Sequence, residues 1–88
     1  MLDRDLSEMI IEKYGTTLQD VILIEELSEL QKEITKCMRG KGNLQHVAEE
    51  IAHCLISIDV IMVIYRISEN DVQKEIDKKR KKIERGYK

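Results

Sequence analysis

The chain has no proline, no phenylalanine and no tryptophan, and only four glycines and two cysteines among its 88 residues. Lack of proline and scarcity of glycine suit long helices. No stretch alternates apolar and polar residues as a half-buried strand does, so a β-rich fold is excluded. Cys37 and Cys54 do not make a disulfide framework. In the helical hairpin described below they stand twelve residues apart in level, roughly 18 Å at 1.5 Å per residue, against the ~7 Å Cα separation a bridge tolerates. Free thiols in a reducing compartment follow. The first residues, Met1-Leu2-Asp3-Arg4-Asp5, are charged and lack the apolar run of a signal peptide. The most apolar stretch, Cys54 to Ile67, includes Ser57, Asp59 and Arg66 and falls short of the ~20 residues of a membrane span. The expectation is a soluble cytoplasmic protein with no membrane partner.

What the chain does have is charge: 36% of its residues are Asp, Glu, Lys or Arg. The net charge of −2 hides an asymmetry, since residues 1–73 carry 14 acidic and 7 basic side chains while residues 74–88 carry 8 basic and 3 acidic. The length is that of one domain, residues 1–88, with no repeat or linker and a core barely large enough to stand alone.

Four helices account for the pattern. The first runs from about Asp3 to Tyr14, with Leu2, Leu6, Met9, Ile10 and the Lys13 stem facing inward, and Gly15 ends it. Thr16 or Thr17 can cap the second, with Asp20 completing a capping box from Thr17. This helix carries Leu23, Leu27, Leu30, Ile34 and Cys37 as its stripe and ends near Met38. Glu26 and Glu33 fall just inside the stripe's edge and Glu29 just outside it; carboxylates at a core edge need a reason, because burying an unpaired charge is costly. The third helix runs from about Leu44 to Arg66, and its half from Leu55 to Ile64 is apolar on nearly every side. A helix of that kind is buried all round. So small a monomer can hardly surround it, which implies self-association as a homodimer or homotetramer. Ser68 caps the fourth helix, acidic at its start and basic towards its end in the sense that complements the helix dipole, with Gly86 closing it. The fold class is therefore all-α: a four-helix chain with an antiparallel helical hairpin core, completed by oligomerisation.

Two acidic clusters carry the chemistry: Glu25-Glu26-Leu27-Ser28-Glu29 and Glu49-Glu50-Ile51-Ala52-His53. Glu26 and Glu29, like Glu50 and His53, are three residues apart, which puts each pair on one helix face. If the chain turns back at Arg39-Gly40-Lys41-Gly42-Asn43, levels match where residue numbers share a constant sum. Glu26 with His53 and Glu29 with Glu50 share the same one. Four metal-competent side chains then meet at one level of one hairpin. Hard divalent cations favour such carboxylate oxygens and keep waters for substrate phosphates. The alternative is a solvated acidic face decorated by Glu25–Lys32 and Glu29–Lys36 contacts.

The order Glu25-Glu26-x-x-Glu29, the Arg39–Asn43 turn, Glu50-x-x-His53 and the basic last helix resembles the MazG-like, all-α nucleoside triphosphate pyrophosphohydrolases, whose signature is EExxE followed by ExxD. The resemblance extends over most of the chain. It implies a MazG-like bundle and an enzyme that splits an NTP or dNTP into the monophosphate and pyrophosphate with Mg²⁺. It also implies Glu26, Glu29 and Glu50 as metal ligands, and Glu25 as the motif's adjoining acid. His53 stands where the family has aspartate. A neutral imidazole can bind a metal but removes one negative charge and favours softer ions such as Mn²⁺ or Zn²⁺ over Mg²⁺, so His53 is a variant ligand or a mark of weakened catalysis. In metal-assisted hydrolysis Glu25 or Glu29 would orient or deprotonate the attacking water. Lys79 and Lys82, in the basic stretch Lys78–Lys82, would contact phosphates. Acidic residues flank that stretch and few aromatics accompany it, so it does not read as nucleic-acid binding. Only Tyr14, Tyr65 and Tyr87 can stack on a base.

Two rivals stand beside this reading. Glu50-x-x-His53 has the Glu-x-x-His spacing of di-iron and di-manganese carboxylate bundles, which take a further Glu from each partner helix. A helical interaction or regulatory module that kept the fold and lost the chemistry is the non-enzymatic alternative, and His53 makes it credible.

Overall fold

The computed structural model describes residues 3–86; Leu2, assigned above to the first helix's inner stripe, and Tyr87 lie outside them. Within that range the chain is helical, without strands: α1 Arg4–Tyr14, α2 Gln19–Met38, α3 Leu44–Tyr65 and α4 Glu69–Glu84. Local chemistry sets most boundaries. Asp3 caps α1 by accepting from the Leu6 amide at 3.0 Å, and Gly15 ends it at φ 79°, a backbone angle that only glycine adopts without strain. Asn43 caps α3 by accepting from the Gln45 amide at 2.8 Å. Ser68 and Asp71 form a reciprocal capping box at the start of α4. The second helix departs from expectation. It begins at Gln19 with no side-chain cap at all, and Gln19 Nε2 donates back to the Gly15 carbonyl at 3.0 Å.

Helices α2 and α3 form an antiparallel hairpin. Its register is marked by His53 Nδ1 at 3.2 Å from Glu26 and His46 Nδ1 at 3.5 Å from Glu33. At the closed end Gly42 packs so tightly on the last turn of α2 that a Cβ there would collide with Cys37. At the open end the Tyr65 hydroxyl donates to the Asp20 carboxylate at 2.7 Å, and this hydrogen bond holds its pKa above the ordinary value. Helix α1 lies along α3 and is tied to it by Asp59, a buried carboxylate that accepts from the Ser7 hydroxyl and pairs with Arg4 at 3.2 Å.

The packed stripe of α2 differs from the one expected. Gln19 and Glu33 are buried, Leu23, Glu26, Leu30 and Cys37 are half-buried, and Leu27 and Ile34 stay 46% and 44% exposed. The difference is a rotation of the helix towards its carboxylate edge, because the facing side of α3 presents His46, Glu50 and His53. The fully buried apolar residues among those described are only Cys54, Val60 and Met62.

Within one chain three helices pack together. The backbone of α4 approaches no other helix closely, and every residue of α4 is exposed. The radius of gyration is 15.4 Å, against about 12 Å for a compact chain of this length.

Candidate metal centre

The two acidic clusters meet at the middle of the hairpin. Glu26 from α2 and Glu50 and His53 from α3 each offer a ligand atom, and these atoms lie within 4.8 Å of one another. His53 Nδ1 sits between the carboxylates, 3.2 Å from Glu26 Oε2 and 3.5 Å from Glu50 Oε2. The two glutamates are largely enclosed and the His53 side chain is 50% exposed, so the group has a protein side and a water side. Glu50 Oε2 is buried and accepts no hydrogen bond. An orphaned carboxylate oxygen is costly unless a positive charge satisfies it.

The donor set fits a divalent cation. Two carboxylates and one imidazole leave coordination positions on the exposed side for water or substrate oxygens, and this mixture accommodates Mn²⁺, Fe²⁺ or Zn²⁺ as well as Mg²⁺. Cys54 adjoins the group without competing in it. Burial pushes its thiol pKa up, and the negative charges of Glu26 and Glu50 push it further, so it stays a protonated thiol.

Glu29 is exposed and lies outside this group, as does Glu25. The structure thus brings together three of the four side chains expected to meet. Glu29 misses because it lies about 60° round the helix from Glu26, on the side away from Leu23 and Leu30, so even with the packed face turned towards Glu26 and Glu33 it stays at the solvent edge. Lys79 and Lys82 stand exposed on α4 and are not brought to the carboxylates within one chain.

Two polar contacts escaped the sequence reading, although Glu33 itself was expected at the core edge. Glu33, only 7% exposed, pairs with His46 and with Lys36 Nζ at 3.3 Å, and its Oε1 lacks a hydrogen bond. The clue was available: His46 mirrors Glu33 across the turn in the register that pairs His53 with Glu26. The other is Asp59 with Ser7 and Arg4, signalled only by an aspartate inside an otherwise apolar run.

Beside the carboxylates opens a cavity of about 240 Å³, lined by Ile10, Tyr14, Ile22 and Ile56, with Gln19 as a polar wall and Glu26 and His53 at its edge. Tyr14 is therefore the tyrosine placed next to the group, while Tyr65 is engaged with Asp20. No family model, curated protein or solved structure matches this chain.

Proposed function

We propose that this chain is a metal-dependent nucleoside triphosphate pyrophosphohydrolase of the MazG-like all-α kind that its sequence resembles, working as a homo-oligomer with Mg²⁺ or Mn²⁺. The observation that carries the reading is the convergence of Glu26, Glu50 and His53, drawn from both halves of the motif, beside a small apolar cavity. Glu26 and Glu50 would hold the cation with His53 as third donor. A bound cation would offset triphosphate charge and make water a better nucleophile. Glu29, one helical turn from Glu26 and exposed, would take the water's proton, with Glu25 beside it in the motif. The cavity would take the base, with the Tyr14 ring as an apolar surface and the Gln19 amide as a hydrogen-bonding group. Lys79 and Lys82 would reach the phosphates only from another copy.

A second reading has an observation of its own. Glu26 plus Glu50-x-x-His53, without Glu25 and Glu29, is half the ligand set of a di-iron or di-manganese carboxylate bundle, whose other half a second copy would supply.

The deciding experiment is a panel of NTPs and dNTPs with Mg²⁺ and Mn²⁺, assayed for pyrophosphate, run on the natural protein and on His53→Asp. Pyrophosphate release by the natural protein supports the hydrolase. Tightly held iron with a charge-transfer absorption and no pyrophosphate supports the dinuclear bundle. Silence in both proteins, with no nucleotide bound, leaves an interaction module. The metal site has its own check: Glu26→Gln with Glu50→Gln should abolish the rise in melting temperature on adding Mg²⁺ or Mn²⁺, and an unchanged rise refutes the site.

A further inference from the structure

His53 has two ring nitrogens, and contacts within the chain use only one. Nδ1 lies between the carboxylates, 3.2 Å from Glu26 and 3.5 Å from Glu50, and among the described residues both close charge contacts of the ring run through it. Nε2 stands across the ring from those contacts. The His53 side chain is 50% exposed, against 25% for Glu26 and 17% for Glu50, so Nε2 belongs to the water side of the group. The ring also edges the apolar cavity assigned to the base.

A neutral imidazole has one proton for two nitrogens, so one donates while the other accepts. Without a cation that proton serves best on Nδ1, where either carboxylate can accept it. With a cation on Glu26 and Glu50 the Nδ1 lone pair is needed as a ligand, and the proton then resides on Nε2. A metal-bound imidazole almost always passes this second N–H to a carboxylate, a carbonyl or water. Among the described residues no protein acceptor is paired with His53 on that side. The open positions for substrate oxygens are there instead.

We propose that His53 serves two partners at once: Nδ1 ligates the cation, and Nε2–H donates to a phosphate oxygen of the bound triphosphate. This rests on the metal-dependent hydrolase reading above. An aspartate at this position can hold a metal, but it has no proton to give and sets a negative charge beside the phosphates. Histidine gives up some attraction for the cation and gains a charge-assisted hydrogen bond to the anion. The departure from the ExxD pattern is then a change in how the substrate is held.

Two measurements on the full chain test it, with Mg²⁺ as the ion and inorganic pyrophosphate as the phosphate probe. The first is nitrogen NMR of labelled imidazoles; the chain has two histidines, so His46→Gln assigns them. Adding Mg²⁺ should move the His53 proton from Nδ1 to Nε2. Adding pyrophosphate should then shift Nε2 and slow exchange of its proton with water. The second is titration calorimetry of His53→Asp. This variant should bind Mg²⁺ more tightly than the natural chain, yet at saturating Mg²⁺ bind pyrophosphate about tenfold or more weakly. A side chain acting only as a ligand would move both affinities in the same direction. An Nε2 that ignores pyrophosphate, or an aspartate variant that holds it equally well, overturns the phosphate contact and leaves the metal centre standing. A His53 that keeps its proton on Nδ1 with Mg²⁺ bound overturns its role as ligand and the proposal together. A chain that binds no Mg²⁺ overturns the metal centre as well.

Discussion

Glu33 Oε1 lies 3.5 Å from His46 Nδ1, two helical turns along the hairpin from the point where His53 Nδ1 lies 3.2 Å from Glu26. The α2–α3 interface is therefore a seam of repeated carboxylate–imidazole contacts, in a place where a helical hairpin ordinarily buries leucine. Ionisable groups in such a seam cost desolvation, and a buried pair repays it only when its remaining lone pairs are satisfied. Glu33 and Glu50 each keep one buried oxygen without a hydrogen bond. The seam is thus less stable than it would be if apolar, and where no ligand uses it the carboxylates should be replaceable.

Glu33 is where that expectation is sharpest. Glu33→Met keeps the side-chain length, removes the orphaned oxygen and adds an apolar contact against α3. It should raise stability by about 1 kcal/mol, seen as a melting temperature some 4–8 °C higher for a domain of this size. Differential scanning calorimetry at one fixed protein concentration measures it; a fall in melting temperature would show that the His46 and Lys36 contacts outweigh the desolvation.

Asp59 should behave in the opposite way. It is 1% exposed and both carboxylate oxygens are engaged, one by Ser7 and one by Arg4. Asp59→Ala leaves a buried hydroxyl without its acceptor and frees α1 from α3, costing about 2–3 kcal/mol. Arg4→Ala should cost less than half as much, since the arginine is half-exposed. Urea unfolding of the two variants gives the order, and equal losses would contradict it.

The turn between α2 and α3 contains two glycines with different reasons to be glycine. Gly40 has φ 73° and open space around its Cα, so Gly40→Ala should cost about 1 kcal/mol of backbone strain. At Gly42 a Cβ would sit 2.6 Å from the backbone of Cys37, which cannot yield as a side-chain tip would. Gly42→Ala should cost about 2–3 kcal/mol and loosen the hairpin's closed end. Thermal denaturation of the pair distinguishes them.

Asp71 supplies a pH dependence. Its hydrogen bonds with the Ser68 backbone and side chain hold its pKa below the ordinary carboxyl value. A depressed folded pKa means stability that is present above the unfolded value of about 3.9 and lost as pH falls through the lower folded value. Amide exchange in the first turn of α4 should therefore quicken selectively as pH drops below about 4, after correction for intrinsic exchange. In Asp71→Asn that additional acid step should be absent.

Helix count and most helix ends were legible in the sequence because each rests on neighbours within one turn. Ser68 caps α4 as its sequence position implies, and Gly15 stops α1. Hairpin register was legible too, because an antiparallel pair leaves one free number and the turn at Arg39–Asn43 sets it. Rotation about the helix axis was not. Leu27 and Ile34 look like core on an isolated helix, yet the energetically preferred face depends on what α3 presents to it.

By itself the sequence determined that the chain is helical, that Glu26 and His53 share a level, and that the acidic body and basic tail are distinct, since propensity, spacing and charge are local quantities. Only the tertiary structure decided that Glu26, Glu50 and His53 converge while Glu29 faces water, that Asp59 is a buried tie, and that α4 stands apart from its own chain. Those outcomes turn on which surfaces meet across long stretches of sequence, where a rotation of some tens of degrees moves a side chain from a shared site into solvent.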